Sequence, residues 1–391
     1  MKEKRKRRAC FVITSFIHYS RNFLILQELQ KRDDVDLRII VAGTALLPKY
    51  SSRHAQIKDM LRKDGCKNVY EVYFNLEGSD PVIKAKTAGL GVVELSSLYS
   101  QIKPDVVVIR GDRFETLSAA LAASLMNIPI AHIEGGDVTG TIDESIRHSI
   151  TKLSHIHFAT NEDSRNRIIR MGERPSYVFN FGSPDIEVAA KLSRIKTDLS
   201  YLNMTGSGSP IDVYRDFIIV AYHPVTTEIE ILARNTKMLL ETIYELALPT
   251  FWFWPNFDAG AEESISREIR VFNDKVKDHN IRFMRYIPPQ QYLSLLKASK
   301  CLVGNSSAGI KECSYLGVPV VNVGSRQNGR LRGENAIDAK ENKESLKRAI
   351  QRQVARGRYK PFRAYQKVDT SKKIAHVIAT ADLYVQKMFH E

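Results

Sequence analysis

The chain has 391 residues, 43% hydrophobic and 26% charged. That balance excludes a disordered or fibrous protein and allows two globular domains, and no apolar run approaches the roughly 20 residues of a membrane span. The formal charge of +14 draws heavily on six Lys/Arg in residues 1–8. The remainder forms no basic cluster interleaved with aromatics, so a nucleic-acid binder is disfavoured and a small anionic substrate suits the excess.

The opening "MKEKRKRRACFVITSFI" resembles a secretory signal only superficially, because no small-residue cleavage site follows. It reads as a solvated basic tail leading into a buried strand. Val/Ile-rich runs then recur at "VDLRIIVAG", "NVYEVYF", "DVVVIRGD", "IPIAHIE" and "HIHFAT". Amphipathic stretches separate them, among them Phe114–Met126 and Ile142–Leu153. Strands that are continuously apolar are buried on both faces, which predicts a parallel sheet covered by helices. The pattern lapses around Ser193–Asp216, where "MTGSGSPID" reads as a connector. It resumes with "DFIIVAYHP", "PTFWFWPN", "IRFMRYIP", "KCLVGNSS" and "GVPVVNVGS".

The expected fold class is therefore α/β, with two doubly wound Rossmann-like domains facing a central cleft. Their expected bounds are 1–185 and 186–369. The last helix, Lys372–Phe389 within 370–391, is expected to pack back on the first domain. Cys10, Cys66, Cys301 and Cys313 form no CxxC pair, which argues against a disulfide framework or zinc site and suits a reducing cytoplasm.

Ligands of open parallel sheets bind outside the carboxyl ends of the strands, so the polar residues there are the candidates. Asp112 and Arg113 follow one strand and precede an Ala-rich helix. Arg113 is placed to hold a phosphate beside that helix start; the competing reading makes Asp112 a helix cap. "HIEGGDVTGTIDESIRHS", His132–Ser149, is more specific. Asp143 has an ordinary reading as a helix cap, and Glu144 with Arg147 or His148 as surface pairs. Glu134 does not, because a carboxylate ending a buried strand is costly unless it is paired or used. Convergent carboxylates push their pKa values apart, leaving one an acid and another a base.

In the second half His223 ends a strand, and "VGNSSAGIKE" ends another at Asn305 before Ser306 and Ser307 start a helix. Hydroxyls and backbone N–H groups there suit a phosphate. Glu312, one turn on, is placed to bridge two ribose hydroxyls. Together these suggest a nucleotide diphosphate site. No GxGxxG, Walker loop, HExxH or GxSxG occurs, so nicotinamide cofactors, phosphate transfer by a P-loop, zinc proteolysis and serine hydrolysis lose support.

With "RGDRFETLSAALAAS", "HIEGG…GTIDESIRHS", "HPVTTE", "PNFDAG", "GNSSAGIKE" and "GSRQNGR" in hand, the chain resembles the hydrolysing UDP-N-acetylglucosamine 2-epimerases of sialic-acid-type biosynthesis, from about residue 100 to about 335. The resemblance implies a glycosyltransferase-B type fold and a reaction without metal or cofactor. The nucleotide diphosphate would be eliminated across C1–C2 and the glycal hydrated to the free 2-epimer. By similarity Asp112, Glu134 and Asp143 are the acid/base carboxylates. Arg113, His223, Ser306, Ser307 and Arg326 stabilise the departing diphosphate. Glu312 holds the ribose, and Asn256, Asp258 and Ile287 complete the substrate contacts. A cytoplasmic homodimer or homotetramer is implied in the same way, with no nucleic-acid or membrane partner.

The first fifty residues depart from the family. Where it carries an Arg-Ala-Asp-Tyr run, this chain reads "FIHYSRNF", with Phe16 at the Arg position. Ala45 replaces a His in "AGTALLPKY". Arg21 or His18 stands nearest as a substitute. These changes make a modified, deoxygenated 2-acetamido sugar nucleotide a serious variant of the substrate. A non-hydrolysing epimerase, a glycosyltransferase of the same fold and an inactive sugar-nucleotide-binding protein are the rival readings.

Overall fold

The computed structural model describes residues 5–47, 57–78, 80–256, 260–277, 279–285 and 287–391. They divide into two compact units. One comprises residues 1–138, 143–188 and 364–391, the other residues 139–142 and 189–363.

The first unit runs β1 (Arg7–Ile13), α1 (Phe16–Gln30), β2 (Val35–Ala42), α2 (Ile57–Lys63), β3 (Val69–Val72), α3 (Pro81–Ile102), β4 (Val106–Arg110), α4 (Phe114–Leu125), β5 (Ile130–Ile133), α5 (Asp143–Leu153), β6 (Ile156–Ala159), α6 (Glu162–Arg170), β7 (Val178–Asn180) and α7 (Pro184–Leu192). Its sheet is parallel throughout, in the order β3-β2-β1-β4-β5-β6-β7. The strand order reverses between β1 and β4, the switch point where doubly wound sheets bind ligands. Helices cover both faces, over one core built on Phe11, Ile13, Val108 and Phe158 and another on Val12, Val107, Ile109 and Ile130. That two-sided burial is why the strands read as unbroken apolar runs.

The second unit runs β8 (Ser207–Gly208), β9 (Ile218–Ala221), α8 (Ile229–Leu246), β10 (Thr250–Phe253), α9 (Arg267–Lys275), β11 (Ile281–Met284), α10 (Pro289–Ala298), β12 (Cys301–Gly304), α11 (Ser307–Ile310), α12 (Glu312–Leu316), β13 (Val320–Val323), β14 (Ala336–Ala339) and α13 (Lys343–Arg356). The order is β14-β13-β12-β9-β10-β11-β8. Only the two-residue β8 is antiparallel, and it lies inside the stretch read as a connector. The chain then returns to the first unit as α14 (Thr370–Thr380), whose Ile374, Ala375 and Ile378 join the core beneath α1.

Two sequence expectations change. The last helix stops at Thr380 rather than Phe389, and Ala381 turns extended (φ −59°, ψ 141°). Residues 381–391 follow as an irregular strap. The basic run is not wholly a solvated tail, since Arg7 and Arg8 lie in β1. There Arg8 pairs with Asp36 at 3.1 Å and Arg7 donates to the Ile378 carbonyl at 3.1 Å. Phe16 and Ala45 pack on the hydrophobic core, Phe16 edge-to-face with Tyr19. All four cysteines are buried free thiols, and no helix among the described residues is long and apolar enough to cross a membrane.

Candidate active site

In the first unit the candidates gather at the carboxyl ends of β4 and β5, neighbours in register Arg110 to Ile133. Glu134 follows β5 directly and holds φ +72°, a left-handed conformation that costs a non-glycine residue of the order of 1–2 kcal/mol. Gly136 repeats that conformation; a Cβ there would stand 2.4 Å from the Ser164 carbonyl oxygen. The turn thus aims the Glu134 carboxylate at Arg110, whose Nε and Nη2 donate to Oε2 at 2.9 and 2.7 Å. Arg110 is 1% exposed and also grips Asp185, near the start of α7. Arg21 stands 3.5 Å from the same Asp185. A carboxylate ending a buried strand is thereby paired, as the desolvation cost requires.

Asp112 does not cap α4. The cap position belongs to Arg113, without a side-chain capping bond, and the Asp112 carboxylate instead pairs with Arg147 of α5. Arg147 is not a surface partner of Glu144 as its spacing suggested. It is fully buried, and its Nη1 donates to the Asp137 carbonyl at 2.9 Å. Glu144 faces His148 at 3.8 Å. Asp143 opens α5 one turn before Arg147, on the same helix face. Asp112, Glu134 and Asp143 therefore share one edge of one sheet. Arg113 is paired with the buried Glu115 through two 3.0 Å bonds.

Neutral imidazoles support this edge. His132 on β5 donates from Nε2 to the Gly111 carbonyl at 2.9 Å, holding the turn that carries Asp112. Burial pushes its pKa down to about 3 and also lowers those of His18 and His157. His18 lies among Arg110, Arg113 and Arg21, whose charges lower it further. Protonation of these rings is disfavoured only in the folded state, so stability is full above pH 6.5 and falls as the unfolded chain gains protons below it. Each ring contributes up to about 1.4 kcal/mol per pH unit. The urea midpoint is expected to be clearly lower at pH 5.5 than at pH 7.5; an unchanged midpoint would contradict the buried neutral rings.

In the second unit the candidates occupy the ends of the neighbouring strands β13, β12 and β9. Asn305, fully buried, extends the pairing past β12: its Oδ1 accepts from the His223 N–H at 2.7 Å and its Nδ2 donates to the His223 carbonyl at 2.8 Å. The Asn305 carbonyl in turn accepts from Arg326 at 3.3 Å and Gln327 at 2.8 Å. Ser306 caps the single turn that begins at Ser307. His223 Nδ1 accepts from the Asn256 N–H at 3.2 Å, so the neutral ring carries its proton on Nε2. Glu312 opens α12 nearly buried, and Ile287, past β11, is buried. The unit thus brings together His223, Asn256, Ser306, Ser307 and Arg326. Asp258 lies outside the described residues.

Sequence reasoning passed over Asp185 and read Arg147 only as a surface partner; Arg110 and Gln327 fell among the polar strand-end residues but were given no role. Arg110 carried a further signal, a lone cation closing the run "VVVIR". The pairing of Asp185 spans 75 positions and leaves no local trace.

Two doubly wound units, each built on a largely parallel sheet, define an α/β fold of the glycosyltransferase-B type. The family model described as UDP-N-acetylglucosamine 2-epimerase matches residues 27–379, and the chain belongs to that family. It is 32% identical to a GDP/UDP-N,N'-diacetylbacillosamine 2-epimerase (hydrolyzing) of Campylobacter jejuni, over 86% of this chain and 85% of that one. It is 30% identical to a UDP-N-acetylglucosamine 2-epimerase of Neisseria meningitidis serogroup B, over 93% and 94%. The UDP-GlcNAc 2-epimerase of Methanocaldococcus jannaschii, solved with UDP-GlcNAc and UDP, shares the fold with a TM-score of 0.75 at 18% identity, covering 95% and 99%.

Proposed function

We propose that the protein is a hydrolysing 2-epimerase that converts an NDP-linked 2-acetamido sugar and water to NDP and the free 2-epimer. Cleavage of the C1–O bond leads, and the diphosphate leaves with the bonding electrons. A carboxylate of the β4–β5 edge takes the C2 proton to form the 2-acetamidoglycal. A second carboxylic acid then delivers a proton to C2 from the opposite face while water adds its hydroxyl to C1, and the carboxylate so formed takes the remaining proton of the water. Asp112, Glu134 and Asp143 supply these transfers.

His223 Nε2–H, the Ser306 and Ser307 hydroxyls and Arg326 stabilise the charge growing on the diphosphate, where fixed donors act most strongly. Glu312 takes the ribose hydroxyls, and Asn256 and Ile287 border the nucleotide. Arg113 and Arg21 lie on the carboxylate side.

The observation that carries this reading is the strained Glu134, held by Arg110 one strand from Asp112. A glycosyltransferase needs no such group of carboxylates, since it removes no proton from C2. The "HIEGG…GTIDESIRHS" segment and the C. jejuni relative favour hydrolysis over epimerisation with the nucleotide retained. That relative also supports a 2,4-diacetamido sugar beside GlcNAc as substrate, and both belong in the assay. Incubated in deuterated water with either UDP-sugar, the protein is expected to release UDP and a free sugar carrying one deuterium at C2. A product that keeps its nucleotide, or carries no deuterium, rejects the reading.

A further inference from the structure

Helix α5 carries Asp143 at its first residue and Arg147, the partner of Asp112, one turn on. Its other end lies about 15 Å along the axis. The last four carbonyls of a helix have no partner inside it. At this end a residue more than 230 positions away takes up the slack: Lys387 Nζ donates to the Lys152 carbonyl at 2.6 Å and to the Ser154 carbonyl. It also pairs with Glu173 Oε2 at 2.6 Å. An ammonium has three N–H groups, and here all three are used.

Glu173, with its side chain 1% exposed, ties the knot. It accepts from Lys152 of α5 at 2.6 Å and faces His157 of β6 at 3.1 Å. The irregular strap that brings Lys387 here is itself pinned. Tyr384 donates to the His155 carbonyl at 3.2 Å, and Phe389 lies so close over Gly172 that a Cβ there would stand 2.2 Å from its ring. A cation at a helix C-terminus also complements the helix dipole.

We propose that Lys387 is a positioning residue for the epimerase reaction: by capping the end of α5 it sets that helix against its sheet, and so sets Asp143 and Arg147 at the reacting edge. The proposal rests on the reading that these carboxylates act on the sugar. It gives the strap, which touches none of the candidate site residues in any bond described above, a role in the rate.

The test compares full-length Lys387→Met, Lys387→Arg and Tyr384→Phe with the wild type. The measurements are thermal midpoint, kcat and KM for nucleotide release, and amide hydrogen exchange of residues 143–149. Lys387→Met keeps the apolar stem and leaves Glu173 paired with Lys152, so it is expected to fold. Its kcat is expected to fall at least about tenfold with KM within about twofold, because a small misplacement of reacting groups costs rate more than binding. Exchange over the first turn of α5 should quicken, and Lys387→Arg should recover part of kcat. Tyr384→Phe removes only the strap's bond to the His155 carbonyl, leaves the three Lys387 contacts in place and should keep the wild-type kcat. A folded Lys387→Met with wild-type kcat overturns the proposal, as does a loss of kcat in Tyr384→Phe equal to that in Lys387→Met. If the wild type releases no nucleotide from any sugar, the functional reading fails. The exchange data then decide alone, and unchanged exchange at residues 143–147 rejects the positioning role. Should Lys387→Met fail to fold, the same measurements on Lys387→Arg decide.

Discussion

Glu134→Gln is expected to cut turnover by about 10²–10⁴-fold, the range that general acid–base catalysis contributes, while the thermal midpoint stays near that of the wild type. The substitution keeps shape and keeps an oxygen to accept from Arg110 Nε and Nη2. It removes the ability to take or return a proton. The turn need not change, because φ +72° belongs to the backbone at 134 and glutamine meets the same strain as glutamate. The discriminating measurement is kcat/KM for nucleotide release beside the rate of C2 deuterium incorporation. Both should fall together if Glu134 carries the proton. Turnover within about threefold of wild type would remove it from that role.

Arg110→Met should have the largest effect on stability. Its guanidinium serves Glu134 and Asp185 at once, with the three side chains 2%, 9% and 0% exposed. Replacing a buried pair with apolar residues throughout is often harmless, but removing one partner strands the other, at a cost on the order of 3–5 kcal/mol. Here two carboxylates lose their shared cation, and Arg21, 3.5 Å from Asp185, compensates for one of them in part. Equilibrium urea unfolding measures the loss. Arg110→Lys should restore only a fraction, since a single ammonium cannot reproduce the forked pairing. A midpoint unchanged in Arg110→Met would mean that Glu134 and Asp185 hydrate freely, and the account of why Glu134 tolerates its position would fail.

Most of the sheet is legible in the order of residues alone. Eleven expected apolar runs coincide with β1 to β6 and β9 to β13, because strands buried on both faces need side chains that no helix or loop demands in that density. The strands that escape notice are edge strands. Val178–Asn180 has three residues, and Ala336–Ala339 carries Asp338 with only one of its four positions buried. A strand with one neighbour needs little hydrophobicity and leaves little pattern. The end of the last helix is misread for a related reason. The stretch after Thr380 keeps apolar residues, Leu383, Val385 and Phe389, but spends them on an irregular strap.

The sequence by itself determined the α/β class, the two successive doubly wound series and the strand ends where Asp112, Glu134, His223 and Arg326 stand, because periodicity and burial are properties of neighbouring residues. Only the tertiary structure decided what those groups are bonded to: Arg147 rather than a helix N-terminus for Asp112, Arg110 with Asp185 for Glu134, Lys387 for the end of α5. Each of these partners comes from a different element, 24 to 235 positions away. A charge pair carries no periodicity, and no local preference marks one arginine as buried and another as solvated. Those choices are made by the desolvation of whichever carboxylate the fold carries inside.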